Sequence, residues 1–234
     1  MSNSNDKTLP ISYGKAAKLI SNINSNKDTL NGHPVLENNA GGTFKARKIK
    51  EWLSQDTFSG IMCWYCLKGD DFFIAIEPCF NYTYDESDLI VKRPTQKNLL
   101  IPKKLIKENL YAESNLDKKL PQYKHGVLGK QKTASNEEVS GWVENYFNSE
   151  KCFSRFSYFI GCYDNENLLK KFIEEKNPKN IRYFFSYDTD DLHSVYPLRV
   201  ILAPVNGSGR NINKSGGKDV AVGDALQYSW PPKH

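Results

Sequence analysis

The chain has 234 residues, 39% of them hydrophobic and 12% aromatic, which is enough to build a core and excludes an intrinsically disordered chain. No run approaches the roughly 18 consecutive apolar residues that span a bilayer, and the opening Met-Ser-Asn-Ser-Asn-Asp-Lys has no apolar leader core, so the expectation is a cytoplasmic protein with no membrane contact. The net charge of +5 is unevenly spread: Lys92 to Lys132 holds eleven basic residues against three acids, while the remainder holds 21 basic and 24 acidic residues.

In chain order, Ser12 is placed to cap a helix running to about Asn24. Ala16, Leu19, Ile20 and Ile23 recur at helical spacing and form its inward stripe. Asn31-Gly32-His33-Pro34 and Gly41-Gly42 read as loops. Thr43 is the expected cap of a second helix with Ala46, Ile49, Trp52 and Leu53 inward. A strand Ile61–Leu67 follows, then a turn at Lys68-Gly69-Asp70-Asp71 and a return strand Phe72–Glu77 ending at Pro78, the pattern of a hairpin.

The basic connector, residues 84–134, has few order signals. Leu99–Ile101 reads as an edge strand, and Pro102–Tyr111 as a short helix with Leu105, Ile106 and Leu110 inward. Ser135 and Glu138 have capping-box spacing ahead of the apolar stripe Val139, Trp142, Val143, Tyr146 and Phe147. Cys152–Tyr163 is aromatic and fits either a buried loop or an added strand. Asp164 caps a helix carrying Leu168, Leu169, Phe172 and Ile173. Strands Ile181–Tyr187 and Leu198–Val205 follow, joined by a turn at Asp188–Pro197. The Gly-rich stretch 206–218 reads as mobile, Val220–Leu226 as a helical turn, and Trp230-Pro231-Pro232 as an extended anchor.

Two of these segments match each other without a gap at an offset of 120 positions. Ile49-Lys50-Glu51-Trp52-Leu53 answers Leu169-Lys170-Lys171-Phe172-Ile173, and Gly60–Tyr65 answers Asn180–Phe185. Pro204 takes the place of Pro78. The fold expected is α+β: a tandem ααββ duplication with a shared antiparallel sheet and helices packed on it. It forms a single compact domain with repeat 1 at 10–83, the connector, repeat 2 at 135–206 and a tail at 207–234.

The opening Ser12…Ala16-Ala17-Lys18, the step into Gly60-Ile61 and the stretch Leu226-Gln227-Tyr228-Ser229-Trp230-Pro231-Pro232 resemble a family of uncharacterised proteins from Bacteroidetes-type bacteria. The resemblance implies a bacterial cytoplasmic setting and carries no catalytic residue.

Motifs with chemistry are few. Cys63 and Cys66 form a C-x-x-C inside a strand, where residues three apart face opposite ways, so they read as buried thiols. Gly207–Lys218 fits neither glycine-rich phosphate motif. Asp70, Asp71, Asp188, Asp190 and Asp191 lie in turns, where Asp is favoured for its bonds to nearby backbone. No catalytic triad, cofactor or metal site is expected. Two surfaces remain. A groove between the halves, on Trp64, Tyr65, Arg182 and Tyr183, would suit a ligand or protein partner. The connector's Lys92, Arg93, Lys97, Lys103, Lys104 and Lys107 would suit nucleic acid or another anionic partner. Arg182, alone among apolar neighbours, is expected either to reach solvent along its stem or to meet an acid. The leading expectation is a non-catalytic binding or protein-interaction module. The alternatives are nucleic-acid binding through 92–132 and an enzyme with its site at the repeat interface.

Overall fold

The computed structural model describes residues 9–37, 40–80, 94–107, 129–149, 159–163, 168–189, 198–212 and 225–228. The first half runs β1 (Leu9–Ile11), α1 (Tyr13–Ser25), β2 (Gly41–Lys45), α2 (Ala46–Leu53), β3 (Phe58–Lys68) and β4 (Asp71–Phe80), followed by β5 (Asn98–Ile101) and β6 (Lys104–Ile106). The second half runs β7 (Lys132–Ser135), α3 (Asn136–Phe147), β8 (Phe159–Tyr163), α4 (Leu168–Lys176), β9 (Asn180–Tyr187), β10 (Leu198–Val205) and β11 (Ala225–Tyr228). The fold is α+β, with antiparallel strand pairs throughout.

The hairpins do not share a sheet, contrary to the sequence expectation. One sheet has the order β1-β11-β10-β9-β2-β6 and the other β7-β5-β4-β3-β8. The hairpin β9–β10 lies between β11 of its own half and β2 of the first half, with β1 beyond β11, and the hairpin β3–β4 lies between β5 of its own half and β8 of the second, with β7 beyond β5. Each half therefore completes the other's sheet, so a two-stranded ribbon too small to be stable alone gains neighbours on both sides.

The registers of the two sheets correspond. Ile61 lies opposite Pro78 and Ile181 opposite Pro204; Ile76 lies opposite Leu100 and Leu202 opposite Leu226. Pro78 sits past the residue that pairs with β5 and Pro204 past those that pair with β11, and in the bridge of Val205 to Asn211 that follows, Pro204 supplies its carbonyl to Ile212 N–H, so neither has to supply a ladder N–H. Ser12 accepts from Lys15 N–H, and Ser135 accepts from Glu138 N–H in a complete capping box. Each such cap contributes about 1 kcal/mol.

The sheets meet through aromatic rings. Tyr65 and Phe185, which stand 120 positions apart, place their ring centroids 6.0 Å apart, and Phe72 stacks on Phe185 at 4.8 Å. Helices α2 and α4 pack on one another, α1 packs on β9 and α3 on β3. Residues of one half thus touch their own counterparts, as in a two-fold interface between identical subunits. One continuous hydrophobic core runs through both sheets.

Several local expectations change. Gly41-Gly42 is strand, not loop, and Thr43 lies in β2 rather than capping α2, whose N-cap position is Lys45. The glycines are needed because Tyr183 leaves no room. A Cβ on Gly41 would lie 2.1 Å from the Tyr183 carbonyl oxygen, and one on Gly42 would lie 2.7 Å from the Tyr183 ring. Residues 104–106 form β6, not a helix; Leu110 lies outside the described residues. Strand β4 passes through Pro78 to Phe80. Part of the ambiguous aromatic stretch is strand β8, and residues 225–228 are strand rather than helix. Phe147, placed inward by its spacing, is 56% exposed.

Candidate functional site

The four residues expected to line a groove are closed into the core. Trp64, Tyr65, Arg182 and Tyr183 are all buried to within 1% of complete. As neighbours in a strand, Trp64 and Tyr65 face opposite ways, and so do Arg182 and Tyr183, so no single cavity could join them. Trp64 Nε1 donates to Glu77 Oε1 at 2.8 Å, and Tyr65 stands in the aromatic layer between the sheets. Arg182 does not reach solvent. Its guanidinium donates to Asn211 Oδ1 at 2.7 Å and to the Gly209 carbonyl at 2.9 Å. These bonds fix residues 206–212, which were expected to be mobile, and Tyr13 Oη adds a bond to the Ile212 carbonyl at 2.7 Å.

Lys97, Lys104 and Lys107 are exposed and Lys103 is half-buried; Lys92 and Arg93 lie outside the described residues. Lys107 is paired with Asp71, which offsets its charge. Asp190 and Asp191 also lie outside the described residues, among which no cluster of three metal-ligating side chains occurs. Cys63 and Cys66 are free and buried, and burial pushes both thiols far above their usual range; Cys79 is pushed up to about 12. No thiolate forms at neutral pH at such values, so these cysteines act as small apolar side chains.

Two buried polar groups have no signal in the sequence. Glu77, on β4, accepts from Trp64 Nε1, Gln96 N–H at 2.7 Å, and Thr95 N–H and Oγ1. Burial raises its pKa, and these donors pull it partway back. The carboxylate ties the strand entering β5 to the hairpin. His33 is fully buried between Phe72 and Tyr146. Its Nδ1 accepts from Val35 N–H at 3.1 Å, which leaves Nε2 to donate to Tyr146 Oη at 2.8 Å. Burial lowers its pKa from 6.5 to about 3. The unfolded chain therefore binds a proton that the folded chain refuses between those values. Stability is expected to fall by about 1.4 kcal/mol per unit as pH drops through that window. A denaturant midpoint series from pH 7 to pH 4 checks this, and His33→Gln should flatten it.

A concave feature lies where α2 meets α4. A groove of about 460 Å³ is lined by Lys50, Leu53 and Ser54 from one side and Lys170, Ile173, Glu174 and Asn177 from the other. At the offset of 120, Lys50 answers Lys170, Leu53 answers Ile173 and Ser54 answers Glu174. Leu53 and Ile173 are buried and give an apolar floor, while Lys170 and Glu174 are exposed. Lys50 Nζ donates to Asn177 Oδ1 at 2.7 Å. Its pKa is lowered by burial and by the neighbouring charge of Lys179. Asn177 directly follows α4 with φ of 40°, a left-handed position that Asn tolerates at a helix end. Among the described residues, two ammonium groups, of Lys50 and Lys170, thus line a space of small-ligand size together with the carboxylate of Glu174. The sequence contained the clue, since Lys50 and Lys170 are one of the few identities in the repeated segment. It was not legible as a site because periodicity alone does not bring α2 against α4.

No protein-family model matches the chain, and neither a curated protein nor a solved structure matches it.

Proposed function

We propose that the protein is a non-catalytic binding module, and that its ligand is a small anionic molecule with an apolar body held in the groove between α2 and α4. The observation that carries this reading is that Lys50, which also feels the charge of Lys179, and Lys170 line one groove over the floor of Leu53 and Ile173. An ammonium whose pKa is already depressed by burial and a like charge gains when an anion enters. The buried titratable groups nearest to a catalytic role are bound into the frame: Glu77 by four donors, His33 by Val35 and Tyr146, and Cys63 and Cys66 by core packing. That engagement supports binding over turnover.

We further read the two halves as copies of one ancestral unit, supported by the corresponding registers. The setting proposed is the bacterial cytoplasm, in line with the family resemblance. Among the described residues no helix is long and apolar enough to cross a membrane.

The test is calorimetric titration with a panel of mono- and dicarboxylates and phosphate esters, repeated on a Lys50→Ser/Lys170→Ser variant. At least one probe is expected to bind, with a loss of tenfold or more in the variant and weakening as salt rises. No binding across the panel, or equal binding by both proteins, would refute the groove. Nucleic-acid affinity that falls steeply with salt and disappears in Lys103→Glu/Lys104→Glu would move the function to the basic surface instead.

A further inference from the structure

The groove between α2 and α4 is lined by equivalent positions of the two halves. At the offset of 120, Lys50 and Lys170, Leu53 and Ile173, and Ser54 and Glu174 form three matched pairs, and they make up all of the lining except Asn177. A space lined by both members of each pair lies across the axis that relates the halves, as at a two-fold contact between identical subunits. The corresponding registers of the sheets and the meeting of Tyr65 with Phe185 show the same relation in the core. An occupant therefore meets one ammonium from each helix and an apolar floor shared by Leu53 and Ile173.

Resting on the reading of this groove as a ligand site, we infer that its ligand is a linear dianion. Two carboxylates joined by a short apolar chain would place one charge on Lys50 and the other on Lys170, with the chain on Leu53 and Ile173. A monoanion is satisfied by one lysine and leaves the duplicated one without use. Among the described residues, each helix brings one ammonium to the groove, which is the charge pattern a molecule with two like ends complements.

The two sides are not identical, and the difference assigns a role to Glu174. Lys50 Nζ donates to Asn177 Oδ1 at 2.7 Å, so its ammonium is held in place before an anion arrives. Lys170 has Glu174 one turn further along its own helix face, where the first half has Ser54 beside Lys50. Both Lys170 and Glu174 are exposed. The carboxylate lowers the positive potential on that side, so Glu174 sets how strongly the second charge of the ligand is held.

Calorimetric titration tests this by comparing succinate, glutarate, adipate and pimelate with butyrate, valerate, hexanoate and heptanoate, on wild type, Lys50→Ser, Lys170→Ser and Glu174→Ser. One dicarboxylate is expected to bind at least about fivefold more tightly than the monocarboxylate of equal length, the upper end for one exposed ion pair. Either lysine substitution should abolish that preference, and Glu174→Ser, which makes the two sides alike, should increase it. Equal binding of the two series, weakened by Lys50→Ser and untouched by Lys170→Ser, would overturn the dianion and leave the groove as a site. So would binding of phosphate monoesters alone. Glutamate binding more tightly than glutarate, with the gain lost in Glu174→Ser, would replace the dianion by a ligand whose ammonium pairs with Glu174. No binding by any of these probes would overturn the dianion and the proposed function together.

Discussion

Gly41→Ala is expected to lower stability by about 3 kcal/mol, among the largest effects of any single methyl group in this chain. The added Cβ would lie 2.1 Å from the Tyr183 carbonyl oxygen and 3.0 Å from its carbonyl carbon. Both are backbone atoms of the central strand β9, so no side chain can rotate away. Relief requires β2 to move off β9, and β2 also holds β6. For a chain of this length the loss corresponds to a fall of about 10 °C in Tm. Calorimetry checks it, with Gly14→Ala as the control, since a Cβ there meets only Ser12 Oγ at 3.9 Å. A Gly41→Ala protein as stable as wild type would mean that β2 does not lie against β9 in this register.

The second large effect is expected at Glu77. Glu77→Leu keeps most of the volume and removes the carboxylate that accepts from Trp64 Nε1 and from the Gln96 and Thr95 amides. A buried donor left without an acceptor costs about 1–3 kcal/mol, so a loss of about 4 kcal/mol is expected. The damage should centre on residues 94–96, which are also gripped from the second half by Asn136 Nδ2 through the Pro94 and Gln96 carbonyls at 2.7 and 3.0 Å. Burial raises the pKa of Glu77, so the folded chain holds that proton more tightly than the unfolded one. Its contribution is therefore fully present below the usual carboxylate range and declines as pH rises through the shifted value. Glu77→Gln should remove that slope while destabilising less than Leu. Urea midpoints at several pH values separate the two variants.

Much of the architecture was legible because the buried strands carry a continuous apolar signal. Ile61–Tyr65 is apolar on both faces, which marks a central strand, and that segment lies within β3 between β4 and β8. The inward stripes of α1 and α4 and the caps at Ser12 and Ser135 followed from spacing alone. The partners of each hairpin were not legible. Periodicity says that a strand is covered and does not say which half supplies the neighbour. Glycine misled for a related reason: Gly41-Gly42 resembles a loop until the Tyr183 ring is seen to lie over it. Strand β6 is three residues long and follows a proline, too short to show alternation.

The candidate site was the least legible part. The aromatic residues expected at a groove are the ones a core consumes first, and Arg182, expected there too, is buried and bound to Asn211 and Gly209. Lys50 and Lys170 were visible as matching positions. Their meaning depends on α2 packing against α4, a contact set by the exchange of strands rather than by either helix.

That exchange is tested most directly by dividing the protein within the connector into residues 1–118 and 119–234. Because each hairpin takes edge strands from the other half, each fragment alone should show no cooperative thermal transition and weak near-UV circular dichroism. Mixing them in equal amounts should restore the native spectrum and a single transition. A fragment that folds cooperatively by itself, with its hairpin amides protected from exchange, would show that each half builds its own sheet and would contradict the interleaved arrangement.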